Sequence, residues 1–210
     1  GERNLTIRNN ATSGTNAAIW LKSLGTGLGC NNVTIKNTNV FGAATATPVT
    51  TTFGIYAGGT TVSTSGSGAD NDNLTIQNNS VKRAYYGIFV RGSSATVLND
   101  NLLITQNIIG SDINSEYVYY RGIDITNAAS PILSQNHIHN LRLTSGSDVA
   151  AIDIGSNCAN AQVVRNLIHG IMQSNTSGYG AFGININSAT GNTNILIANN
   201  SIYDITTLNY

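Results

Sequence analysis

Short runs in which every second residue is apolar alternate along this chain with steps rich in asparagine. The clearest read Leu5-Thr6-Ile7-Arg8-Asn9-Asn10, Val33-Thr34-Ile35-Lys36-Asn37-Thr38 and Leu74-Thr75-Ile76-Gln77-Asn78-Asn79. Looser copies begin at Leu102, Pro131, Ala161 and Ile195, so successive copies start 28, 41, 28, 29, 30 and 34 residues apart. Period-two apolarity predicts a strand with one buried face. A second predicted strand follows in each repeat, in the form Gly-Ile-x-Ile: Ala18–Leu21, Gly54–Ala57, Gly87–Val90, Gly122–Ile125, Ala151–Ile154 and Gly183–Ile186. A repeat of this length built from strands and turns predicts a solenoid, here all-β with about seven coils in one domain spanning residues 1–210.

Stacking the coils brings equivalent residues over one another at about 4.8 Å. One column then reads Asn10, Thr38, Asn79, Asn107, Asn136, Asn166 and Asn200, at the corner after the first strand. Asparagine tolerates the left-handed conformation, and stacked side-chain amides satisfy one another along an axis, so this column is expected to be structural. The x position of the second strand gives an outward column of Trp20, Tyr56, Phe89, Asp124, Asp153 and Asn185. Three aromatic rings in line would stack on sugar rings, or meet a loop or another protein; an exposed aromatic stripe needs cover. The outward position of the first strand reads Thr6, Thr34, Thr75, Leu103, Ile132, Gln162 and Leu196. It begins as a threonine array of the kind ice-binding solenoids use and then loses it, leaving Leu103, Ile132 and Leu196 as an apolar interface candidate. Loop insertions are expected at residues 42–72 and 111–120, and loops bulging from a solenoid are where such folds place binding.

These repeats resemble the right-handed parallel β-helix repeat proteins of the pectate-lyase-like superfamily, and the resemblance covers nearly the whole chain. It implies the fold more than an activity, because that group includes lyases, glycoside hydrolases, phage tailspikes, adhesins and inert structural modules. Polygalacturonase-like members carry Asn-Thr-Asp, Asp-Asp, Gly-His-Gly and Arg-Ile-Lys elements, none of which is present here.

Only 10% of residues are charged and the formal net charge is zero, so no electrostatic footprint points to nucleic acid or an anionic membrane. No apolar run is long enough for a membrane span. Asn, Thr, Ser and Gly carry solubility instead, a composition that suits an extracellular or cell-surface β-solenoid. Cys30 and Cys158 fall about four coils apart, roughly 19 Å, too far for a bridge within one chain. They read as unpaired thiols, or as partners in a disulfide between molecules.

Asp124 and Asp153 should face each other on adjacent coils at about 5 Å, near the separation of a retaining glycosidase pair. Like charges so close raise one pKa, and the pair would also suit calcium. Arg121 is placed to neutralise them instead. His139 and His169 share a column with Gly110 and Tyr203, with His137 two residues outside it; two ligands fall short of a zinc site. Asp70 and Asp72 lack the further acids of a calcium loop.

Repeats run to both ends with no capping sequence, so the solenoid is expected to bury its open ends against copies of itself or flanking β-helix. The expected function is a non-catalytic extracellular structural or adhesive module, with no cofactor; the alternative is a polysaccharide-binding or polysaccharide-degrading protein using Asp124 and Asp153.

Overall fold

A computed structural model describes residues 2–43, 47, 51–187 and 193–208. Residues 44–46 and 48–50, part of the first expected insertion, lie outside the described set. Among the described residues the chain winds as a parallel β-solenoid with three long sheets, of six, seven and six strands. Sheet I holds the first strand of each repeat, from Thr34–Lys36 to Leu196–Ala198. Sheet II follows the asparagine corner, from Leu5–Arg8 through Thr38–Phe41 to Ser201–Thr207. The Gly-Ile-x-Ile strands form sheet III, from Asn16–Lys22 to Ala181–Ile186.

The sequence pattern predicts two strands per coil, and the structure has three. Two sheet II strands, Ser80–Lys82 and Ile108–Ile109, are so short that they merge with the preceding run when read by periodicity. The first copy also departs from the expected stacking. Leu5 pairs with Thr38 and Ile7 with Val40, so Leu5–Arg8 lies in sheet II and not above Val33 and Ile35 in sheet I. Alternating Leu-x-Ile suits the buried face of either sheet, and pairing alone decides between them. Asn10 consequently stands exposed after a sheet II strand, outside the asparagine column.

The remaining column is a continuous hydrogen-bonded ladder. Each Nδ2 of Asn79, Asn107, Asn136 and Asn166 donates 3.0 Å to the Oδ1 of the next ladder asparagine, ending on Asn200. The same oxygens accept each preceding backbone N–H at 2.9–3.1 Å. The other Nδ2 proton goes to a sheet I carbonyl, as from Asn107 to Ile76 at 2.8 Å. Thr38 begins the ladder by donating its hydroxyl to Asn79 Oδ1 at 2.8 Å. The left-handed turn falls one residue before the ladder, at Asn37, Asn78, Gln106, Gln135, Arg165 and Asn199, all with φ between 52° and 59°. Turning and ladder-building are thus divided between neighbouring residues, which leaves the ladder side chains from Thr38 to Asn166 buried and Asn200, at the last coil, half-buried.

Inward residues fill the coil in flat layers. Ile76, Ile104, Leu133 and Val163 of sheet I, Val40 to Ile168 of sheet II and Ile55 to Ile152 of sheet III have no solvent exposure. The same columns emerge at the last coil, where Ile197 is 47% and Ile202 42% exposed. At the first coil Ile7, Ile19 and Ile35 are half-buried. Each interior layer is buried by its neighbour above and below, and the end layers lack one of the two.

Candidate functional site

The outward column of sheet III stands in register strand by strand, Trp20 beside Tyr56, then Phe89, Asp124, Asp153 and Asn185. Its aromatic half is not an open stripe. Tyr56 is fully buried and Phe89 nearly so, while Trp20 remains 40% exposed. The loop 59–68 closes over them: the Tyr56 hydroxyl lies 2.6 Å from the Gly66 carbonyl, 3.0 Å from Thr61 O and 3.1 Å from Ser63 O. Phe53 and Tyr86 join from the same strands, Phe53 stacked on Tyr86 at 4.9 Å and Tyr56 on Phe89 at 5.3 Å. This outer cluster is a second small core, and its faces are not available to sugar rings.

The acidic half is open. A cleft of about 380 Å³ runs beside the loop edge, lined by Thr64, Tyr86, Phe89, Arg91, Asp124 and Asp153, among others. Asp153 is pinned: Arg121 Nε donates to its Oδ2 at 2.5 Å and Asn185 Nδ2 to its Oδ1 at 3.1 Å. Arg121 is itself buried, hydrogen-bonded to the Asp148 carbonyl and the Tyr120 hydroxyl, with its guanidinium 3.8 Å from the Tyr120 ring centroid. Asp124 faces the cleft without such a partner. Burial first, then the neighbouring Asp153 charge, push its carboxyl up to about 7, against the pull of Arg121 and Arg91. Two acids at matched positions therefore differ in chemistry: Asp153 is a fixed counter-ion, and Asp124 exchanges a proton near neutrality.

A second constellation lies on the outer face of sheet II. His139 pairs with His169 and His169 with Tyr203, and His137, two residues before His139 in the same strand, shares their face. The three imidazoles converge so that one nitrogen from each lies within 4.8 Å of the others. His137 Nε2 is 2.8 Å from His169 Nε2, and the His137 and His139 rings stack at 4.5 Å. Burial and the mutual proximity of the rings lower both strand-mates, His139 to about 4. Treating each coil position as an independent column hid this convergence; the signal was present as His-x-His, whose members share a strand face.

Leu103 and Ile132 lie side by side on the outward face of sheet I, both half-buried, and exposed Gln162 separates them from Leu196, which is also exposed. Both cysteines are free; Cys158 is buried, which lifts its thiol to about 11. Asp70 and Asp72 serve as structural acceptors, Asp70 for Gly27 N at 2.5 Å and Asp72 for Asp100 N at 2.8 Å. No described helix is long and apolar enough to cross a membrane. Comparison with protein-family models, with curated proteins and with solved structures returns no match.

Proposed function

We infer that this chain is a structural β-helix module that stacks coil on coil against another β-helix layer, in the first place a second copy of itself. The observation that carries the reading is the emergence of the core at the last coil, where Ile197 and Ile202 stand nearly half exposed. Their counterparts in the adjacent coil, Val163 and Ile168, are fully buried. Leu196, Ile186 and Leu208 add exposed apolar surface at the same end. Covering the exposed parts of Ile197 and Ile202 is worth roughly 1.5–2.5 kcal/mol, before the strand-edge hydrogen bonds of a continued parallel sheet are added. The covered aromatic cluster on sheet III supports a scaffold over an open sugar-binding track.

In this reading the chain is an extracellular or cell-surface component of the pectate-lyase-like β-helix type, its surface solubilised by amides and hydroxyls. The test is sedimentation of the wild-type chain against an Ile197→Asp/Ile202→Asp variant. Concentration-dependent association that the variant loses supports stacking through this coil. A wild type that remains monomeric throughout overturns it.

A second reading rests on one observation, the unpaired Asp124 poised near neutrality in its cleft. It makes the chain a polysaccharide-acting protein with Asp124 as the proton-transferring acid. Activity on a polysaccharide panel that Asp124→Asn abolishes would favour it, and activity unchanged in that variant would remove Asp124.

A further inference from the structure

We propose that His137, His139 and His169 form a binding site for a divalent transition-metal ion of the zinc type, tying two neighbouring coils together on the outer face of sheet II. Three imidazoles from two strands converge with one ligand nitrogen each inside 4.8 Å. Tetrahedral zinc holds imidazole nitrogens at about 2.0–2.1 Å, which places them roughly 3.3 Å apart. The 2.8 Å separation of His137 Nε2 and His169 Nε2 therefore needs to open by about half an ångström, and the widest separation in the cluster, up to 4.8 Å, to close by about 1.5 Å, movements that χ rotations of the rings supply.

Two of the rings are also held by groups outside the cluster, as metal-ligating histidines are. His139 Nδ1 lies 3.6 Å from Asp112 Oδ1 and 3.2 Å from Asn140 Nδ2; in the tautomer whose Nδ1 proton faces the Asp112 carboxylate, Nε2 is the nitrogen with a free lone pair for the cluster. Asn140 donates 2.8 Å to Asp112 and steadies that carboxylate beside the ring. His169 stacks on Tyr203 at 5.0 Å with 6° between planes. The local charge does not exclude a cation: Lys82 is the nearby positive group, and it is paired with Glu116 at 3.5 Å. A cleft of about 290 Å³, lined by Ser80, Lys82, Ser111, Asp112, His137 and His139 among others, opens onto the cluster and supplies room for water at the remaining coordination position. Three protein ligands with one open position is the arrangement of an accessible zinc site, distinct from the closed sets of purely structural ones.

The experiment uses the untagged, chelator-stripped chain. Zn²⁺ is titrated by calorimetry, and Co²⁺ by visible absorption. The expected result is one ion per chain with micromolar or tighter affinity, with the imidazole resonances of all three histidines shifting together by NMR. His137→Gln and His169→Gln should each weaken binding by at least the roughly 10–100-fold that loss of a mere supporting group causes. Cys30→Ser, the control for an adventitious thiol site, should change nothing. Absence of stoichiometric uptake by the folded wild type overturns the site whatever the variants do. So does undiminished binding in the His137→Gln/His169→Gln double variant.

Discussion

Asn107→Ala tests the ladder at its centre. The side chain is fully buried and takes part in four hydrogen bonds: its Nδ2 donates to Ile76 O and Asn136 Oδ1, and its Oδ1 accepts from Asn79 N and Asn79 Nδ2. Truncation leaves the Asn79 backbone N–H and one Asn79 amide proton without partners in a region water does not reach, while the Ile76 carbonyl keeps its place in the parallel ladder to the next strand. Asn136 Oδ1 keeps the Asn107 backbone N–H. With the two buried orphans costing about 1–3 kcal/mol each, the expected loss is about 2–6 kcal/mol. Asn200→Ala is the matched control. It deletes equivalent bonds, to Asn166 and Val163, at a half-buried position where water replaces them, and should cost about 1–2 kcal/mol. Urea unfolding followed by circular dichroism measures both. Equal losses, or a loss below about 1 kcal/mol at Asn107, would show that the strength of the ladder does not depend on burial.

Other perturbations separate the remaining elements. Tyr56→Phe removes the hydroxyl that anchors loop 59–68; a loss of about 1 kcal/mol and faster proteolytic nicking within that loop are expected by limited proteolysis. Arg121→Met strands Asp153 with Asn185 as its remaining partner and should destabilise by about 3–5 kcal/mol in thermal or urea unfolding. Two groups give opposing pH dependences. Asp124, raised to about 7, makes the folded state hold a proton that the unfolded chain has lost above about pH 4, so its contribution falls as pH rises from about 4 to 7. His139, lowered to about 4, makes the unfolded chain the better proton binder between about 4 and 6.5, so its contribution rises with pH there. Asp124→Asn should therefore gain stability relative to wild type as pH climbs to 7 and level off above; a pH-independent difference would refute the assignment to Asp124.

The periodic part of the fold was legible because every coil repeats the same demand. Ile76, Ile104 and Leu133 occupy one inward column, and Asp124 faces Asp153 as the spacing requires. What escaped were departures from strict alternation. Phe53 and Tyr56 both join the outer aromatic cluster although Ile55 between them enters the core, so period two fails near Gly54 and conceals Phe53. Leu5–Arg8 carries the sheet I pattern yet pairs in sheet II, because an amphipathic strand records which face is buried and not which neighbour buries it. The loop over Tyr56 left no periodic trace, since its hold is a set of backbone carbonyls converging on one hydroxyl. The histidine cluster needed columns and faces to be read together, as His137 is joined to the others by strand geometry alone.

Electron microscopy of the wild-type chain across a micromolar concentration series, with light scattering alongside, tests the stacking module most directly. Six or seven rungs at about 4.8 Å make a rod roughly 30 Å long. Rods that lengthen with concentration in steps of that size, and single units in Ile197→Asp/Ile202→Asp, are the expected result. Single units of wild type at every concentration would contradict it.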